Sequence, residues 1–313
     1  MRILSESEVL SRSEGGEPKP MNLNLNLAFA SLSSLLSALP ATAQTTLFSD
    51  NFNRAALTVS APTTYTTTVT AGDGGASIVA SDFLRLTNDA TAAGNASGRV
   101  FVTGATSSFT SFQQSLASNA STLEWSFNAK SNRNSDPGGF GAGNYSLAVV
   151  LGASGSDLTT ANGYAIAYGN SGAPDPIRLV KFAGGLDADS NLTTMISSGA
   201  ADLSGFANYF SVKVRYAPST DSWQLFIRDD GTSSWSDPGT VLSQIGSTVT
   251  DSTYTSAPLT HFGFGWNYNS AANQSAQFDN FQVSALSSTA APEPSTLLLL
   301  LPGLCLLRRR FRA

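Results

Sequence analysis

The chain has 313 residues, 41% of them hydrophobic and only 12% charged, whereas ordinary soluble domains carry about 25% charged residues. Residues 44–291 hold 17 acidic and 10 basic side chains, a net charge of −7, and the basic ones are scattered singly. That excludes a nucleic-acid partner, which needs clustered Lys and Arg, and the single cysteine, Cys305, leaves the preceding chain without a disulfide or a thiolate metal site.

Residues 22–39 form an apolar stretch that stops at Pro40, and Ala41-Thr42-Ala43 follows with small residues at its first and third positions. This order predicts a signal peptide over 1–43, read by secretion machinery and cut after Ala43. Residues 1–20 carry three basic and four acidic side chains, an unusual balance for the start of such a signal. Met21 is therefore an alternative start, and an amphipathic N-terminal helix is the competing reading.

From 44 to 287, strand-like runs of five to ten residues recur between Gly, Pro, Asn and Asp clusters. In chain order they are 47–52, 78–86, 99–103, 122–130, 145–151, 164–168, 177–182, a hairpin over 209–228, 262–266 and 278–283. The clearest alternates Leu123, Trp125, Phe127 and Ala129 with Thr122, Glu124, Ser126, Asn128 and Lys130. At period 2 this places the large apolar groups on one face. Eleven strands with no long helical period predict one all-β domain, an antiparallel two-sheet β-sandwich or jelly roll.

The order Leu47-Phe48-Ser49-Asp50-Asn51-Phe52, Phe83-Leu84-Arg85-Leu86, the 209–228 hairpin and Phe278-Asp279-Asn280-Phe281-Gln282-Val283 resembles the concanavalin A-like/laminin G-like sandwiches. The resemblance implies a structural calcium where the first and last strands meet, at Asp50 and Asp279, if those strands pair. Oxygen ligands suit calcium and require no nitrogen or sulfur. A second candidate is Asp187-Ala188-Asp189-Ser190-Asn191, which has the spacing of a calcium loop without its glycine or final glutamate.

No catalytic constellation stands out. Glycoside hydrolysis uses two carboxyls flanking a bond, but Glu124 is the one glutamate of the body, with Ser126 and Asn128 at the next positions on its face. It reads as a solvated strand residue. His261, the one histidine, reads as a residue at a strand entry. For sugar stacking the candidates are Trp235 in a loop, Trp266 with Tyr268, and Tyr164 with Tyr168; plugging the ends of the sandwich is the competing role for these rings.

At the C-terminus, Pro292-Glu293-Pro294 precedes an apolar run over 297–307 and then Arg308-Arg309-Arg310-Phe311-Arg312. This order resembles the PEP-CTERM sorting signal, here 288–313 with a short membrane segment at 295–307. The resemblance implies recognition and removal by an exosortase-type enzyme and a destination at the cell surface or in a polysaccharide matrix. The arginines resist crossing the bilayer, and an apolar run shorter than the roughly 20 residues of a straight span suits a transient anchor. The expectation is an exported, non-catalytic surface protein associated with extracellular polysaccharide. A glycan-active enzyme and a purely structural coat protein are the alternatives.

Overall fold

The computed structural model describes residues 42–80, 82–89, 96–133, 137–172, 174–199, 207–270 and 274–288. All of these belong to the unit that begins at Pro40. Ala41, the sorting-signal residues Pro292, Glu293, Pro294, Arg308, Arg309 and Arg310, and the 295–307 segment lie outside them. No helix among the described residues is long and apolar enough to cross a membrane.

The strands are β1 (Thr42–Asp50), β2 (Thr66–Ala71), β3 (Gly75–Val79), β4 (Phe83–Thr87), β5 (Gly98–Ala105), β6 (Thr122–Ser131), β7 (Ser146–Ala153) and β8 (Gly163–Tyr168). They continue as β9 (Ile177–Phe182), β10 (Leu192–Ser197), β11 (Tyr209–Ala217), β12 (Ser222–Gly231), β13 (Ser243–Thr250), β14 (His261–Tyr268) and β15 (Ser275–Ser288). The first sheet runs β13-β12-β11-β6-β15-β4-β3, with β1 also paired to β15, and the second runs β10-β9-β8-β7-β14-β5-β2. Pairing is antiparallel in both, for example between β6 and β11, β6 and β15, and β7 and β14.

Two antiparallel sheets, as expected, enclose one core. The alternation in β6 drives it: Leu123, Trp125, Phe127 and Ala129 are all buried. The two sheets meet ring against ring. Trp223 of β12 packs on Tyr164 of β8 at 4.4 Å between centroids, and Phe281 of β15 stacks on Phe262 of β14 at 5.2 Å. Rings of this size contribute most of the apolar area that stabilises such a core.

The expected 209–228 hairpin forms as β11 and β12, closed at Asp221, whose φ is 48° and whose carboxylate accepts a 2.5 Å bond from the Tyr216 hydroxyl. The expected 78–86 strand is instead two, because Ala80 at φ 52° turns the chain back so that β3 pairs with β4. Strands β2, β10 and β13 were not anticipated. β2 and β13 are largely exposed and β10 only partly buried, and their Thr- and Ser-rich sequences lack the apolar alternation by which strands are read.

The first and last strands pair, from Thr42 opposite Ser288 to Asp50 opposite Phe281. Strand β15 has β6 along one edge. Along the other it pairs with β4 over Ser275–Phe278 and with β1 from Phe281 onward. The register on β6 shifts between Asp279 and Gln282, and Asn280 is left-handed at φ 50°.

Asp50 closes this junction. Its carboxylate is bound by the Arg54 guanidinium at 2.5 and 2.9 Å, by the Tyr65 hydroxyl at 2.7 Å and by the Phe52 N–H at 2.8 Å. Both side chains of the ion pair are buried, at 7% and 1% exposure. Removing one member of a buried pair leaves an uncompensated charge and costs about 3–5 kcal/mol. Asp50→Asn is therefore expected to destabilise by about that amount in denaturant unfolding followed by tryptophan fluorescence. Asp50→Asn with Arg54→Met should recover part of the loss; a fully additive double variant would show that the two groups are not coupled.

Candidate functional site

The alternation that fills the core also sends a set of polar side chains to the outer face of the first sheet. From β6 these are Glu124, Ser126 and Asn128. Glu124 lies opposite Arg215 on β11 and Ser284 on β15, Ser126 opposite Lys213 and Gln282, and Asn128 opposite Ser211. Beyond β11, Phe226 of β12 lies opposite Lys213 and Gln224 opposite Arg215.

Much of this polar row is buried, with Glu124 at 3% exposure and Asn128 at 0%, so each group needs a partner. Glu124 accepts from Arg215 Nε at 2.6 Å and faces Lys213 Nζ at 3.6 Å. Asn128 donates to Ser211 Oγ at 2.9 Å and to the Ser236 carbonyl at 3.0 Å. The 232–242 segment folds over the face, its Gly239 and Thr240 carbonyls accepting from Lys213 Nζ at 3.3 and 3.4 Å.

Three depressions adjoin one another on this face. The first, about 500 Å³, lies between the β1–β15 edge and the covering segment and is lined by Asn51, Asn53, Ser126, Asp237, Asn280 and Gln282 among others. The second, about 390 Å³, is lined by Lys213, Arg215, Phe226, Thr240, Val241 and Leu242. The third, about 630 Å³, is lined by Ser121, Thr122, Arg215, Ser219, Gln224 and Ser287 among others. Gly239 lines both the first and the second, and Arg215 both the second and the third.

The residues expected to form sites are distributed differently. Trp266 and Tyr268 are core residues, at 0% and 1% exposure. They share the inward face of β14 with Phe262 and Phe264, and the period-2 pattern Phe262-Gly263-Phe264-Gly265-Trp266-Asn267-Tyr268 carried that signal. The Tyr268 hydroxyl donates to the Ala71 carbonyl at 2.6 Å, and burial, with Asp73 adding to it, pushes it up to about 12. Tyr164 and Tyr168 are likewise fully buried. Trp235 is half-buried and packs edge-on against Phe83 and Tyr209, at 5.4 and 5.1 Å; it joins the covering segment to the sheet and does not line any of the three depressions.

Glu124 is not a solvated residue but a buried counter-ion of two cations. Its neighbours on the sheet, Lys213 and Arg215, could not be identified from β6 alone because they arrive from β11. His261 opens β14 and shares a 2.9 Å hydrogen bond with Thr260; burial lowers its pKa.

Asp50 and Asp279 meet at one junction, as strand pairing required, but Asp50 has no free oxygen to offer calcium. Both its carboxylate oxygens are held by Arg54, with Tyr65 and the Phe52 N–H also attached. The Asp279 carboxylate accepts from the Asn280 backbone and side-chain nitrogens, at 2.7 and 3.0 Å. In the second candidate loop, Asp189 faces Arg178 at 3.3 Å and Asp187 accepts from Asn191 at 2.8 Å. Among the described residues no group of three or more His, Cys, Asp or Glu gathers to hold a metal.

No family model matches this sequence and no curated protein matches it. Among solved structures, peanut lectin is similar over 80% of this chain and 100% of its own, at 15% identity and a TM-score of 0.44. The legume lectin-like domain from Entamoeba histolytica is similar over 70% and 88%, at 10% identity and 0.43. The CBM2 module of the evolved Dit of Lactobacillus casei BL23 phage J-1 is similar over 80% and 99%, at 8% identity and 0.46. The two-sheet architecture rests on the strand pairings of this chain itself.

Burial, together with Asp82 and Asp50, pushes Asp279 up to about 7 from 3.8. The folded protein then holds a proton that the unfolded chain has lost. Stability from this group is full below about pH 4 and is lost as pH rises through about 7, with a slope approaching 1.4 kcal/mol per pH unit between. Melting temperature should fall over that window, and Asp279→Asn should flatten the fall; an unchanged slope in the variant would assign it elsewhere. With Asp50 committed to Arg54, EDTA should leave the melting temperature unchanged, whereas a lower value would reveal a bound metal.

Proposed function

We propose that this protein is exported and holds glycan, without transforming it, on the outer face of its first sheet. The carrying observation is the adjoining set of depressions lined chiefly by amides and hydroxyls: Asn51, Asn53, Asn280 and Gln282 with Ser49, Ser60 and Ser126 in the first, and Ser121, Thr122, Ser219, Gln224 and Ser287 in the third. A polyhydroxylated ligand presents donors and acceptors along its length, and uncharged polar groups match it without demanding a compensating charge. Asn51 and Asn53 are exposed and Gln282 half-buried, so their amides are reachable.

The bonding of Glu124 supports a non-catalytic role. A general acid must present its carboxyl to the substrate, whereas both oxygens of Glu124 are engaged by Lys213 and Arg215 and the side chain is buried at 3% exposure. The low charge of the body and the two terminal signals support export. Pairing of Thr42 with Ser288 brings both ends of the sandwich to one sheet edge, and Pro292 follows Ser288 by four positions. Cleavage after Ala43 would leave Gln44–Asp50 paired against β15.

Affinity electrophoresis in gels containing neutral polysaccharides tests the binding face. Asn51→Ala with Gln282→Ala removes two hydrogen-bonding side chains at about 0.5–1.5 kcal/mol each, so affinity should fall roughly 5- to 140-fold. Equal retardation of wild type and variant would remove this face as the site. Mass spectrometry of surface-recovered protein tests the sorting tail: the expected C-terminus lies before Arg308, and intact Arg312-Ala313 would contradict processing.

A further inference from the structure

The second and third depressions meet at one side chain, and it is charged. Arg215 rises from β11 between them, lining both. Its Nε donates to Glu124 Oε2 at 2.6 Å, and its guanidinium carbon lies 5.0 Å from the centre of the Phe226 ring. Two contacts on different sides thus fix the plane of the group. Its side chain remains 37% exposed, and no hydrogen bond from its Nη atoms to any other described residue is present. A guanidinium so held presents a preset fork to solvent, the geometry that receives a planar carboxylate through two parallel bonds.

The surrounding charge points the same way. Glu124 is matched by two cations, Lys213 and Arg215. Lys213 is 8% exposed and is tied to the Gly239 and Thr240 carbonyls, so the accessible part of the surplus sits on Arg215. No carboxylate lines either depression, whereas the first has Asp50 and Asp237 in its wall. Elsewhere the body, at a net −7 over residues 44–291, repels an anionic polymer. Hydroxyls and an amide flank the fork: Ser121, Thr122, Ser219, Gln224 and Ser287 on one side and Thr240 on the other.

We infer that Arg215 is the recognition centre for an acidic sugar, binding the carboxylate of a uronic acid unit while the neighbouring units of the same polysaccharide lie in the depressions on either side. This deepens the glycan-binding reading and rests on it. Phe226 and Glu124 act as positioning residues that hold the fork; the charge and the planar fork together make the selection. Because the contact is exposed at one edge, it is screened by salt.

Polygalacturonate and its carboxyl-reduced counterpart are the probes, compared by isothermal titration with the full-length protein at low and high salt. Wild type should bind the uronate polymer more tightly, and that preference should shrink as salt rises. In Arg215→Lys, which keeps the charge and loses the fork, the ratio of the two affinities should fall about tenfold. Glu124→Gln with Arg215→Gln removes both charges without stranding a buried carboxylate and should abolish the ratio; its melting temperature reports whether it folds. Equal wild-type affinity for the two polymers, or an unchanged ratio in Arg215→Lys, would overturn the inference and leave glycan binding standing. Failure of wild type to bind either polymer would also overturn it, and the underlying reading falls only if the neutral polysaccharides are not retained either.

Discussion

Everything in the first sheet depends on how its last strand changes partners. β15 is 14 residues long and runs beside β6, but its other edge passes from β4 to β1 at Asp279–Phe281. An edge left open there would expose unpaired backbone groups. The chain closes it with Asp50, Arg54 and Tyr65, folded into the gap by Phe52 in a left-handed conformation at φ 53°. An aromatic residue in that region carries a backbone cost of order 1–3 kcal/mol. Its N–H bond to Asp50 and the complete burial of its ring against Phe264, at 5.6 Å, hold it there. The same turn places Asn51 and Asn53 at the rim of the first depression, so the device that closes the sheet also furnishes part of its binding face.

β6 shows how one strand serves both core and surface. Its inward residues are large and apolar, and its outward ones are polar yet also buried, because side chains from β11 and the 232–242 segment cover them. Burial of a carboxylate is tolerated only with compensation, and Glu124 has it twice over. The arrangement converts a potential catalytic acid into an anchor for Arg215. A rigid cation at the meeting of two depressions is thus a by-product of satisfying a buried anion.

Much of the architecture was legible in the chain. Period-2 alternation marked β6, β11 and β12, and turn residues at 217–221 marked the hairpin between the last two. Threonine- and serine-rich strands at the sheet edges were not, since runs of hydroxyl side chains carry no hydrophobic rhythm. The candidate site was less legible. Trp266 and Tyr268 drew notice as aromatic polar-tipped residues, although their own alternation with Gly265 and Asn267 assigned them inward. Arg54 sits four positions from Asp50 outside any helix, and the left-handed turn at Phe52 that brings them together carries no mark in the sequence.

The sequence by itself determined the fold class, one all-β body with a low-charge surface, because alternation along a strand is a local property that the pleat converts directly into an inside and an outside. The order of residues at its two ends supplied the expectation of export and sorting. Tertiary structure alone decided that Asp50 binds an arginine, that Glu124 is buried between two cations, and that Arg215 stands between two depressions. Each of these contacts joins residues brought together by cross-strand register or by a folded loop, and register between distant strands is set by the packing of the whole sandwich, which no short stretch of sequence encodes.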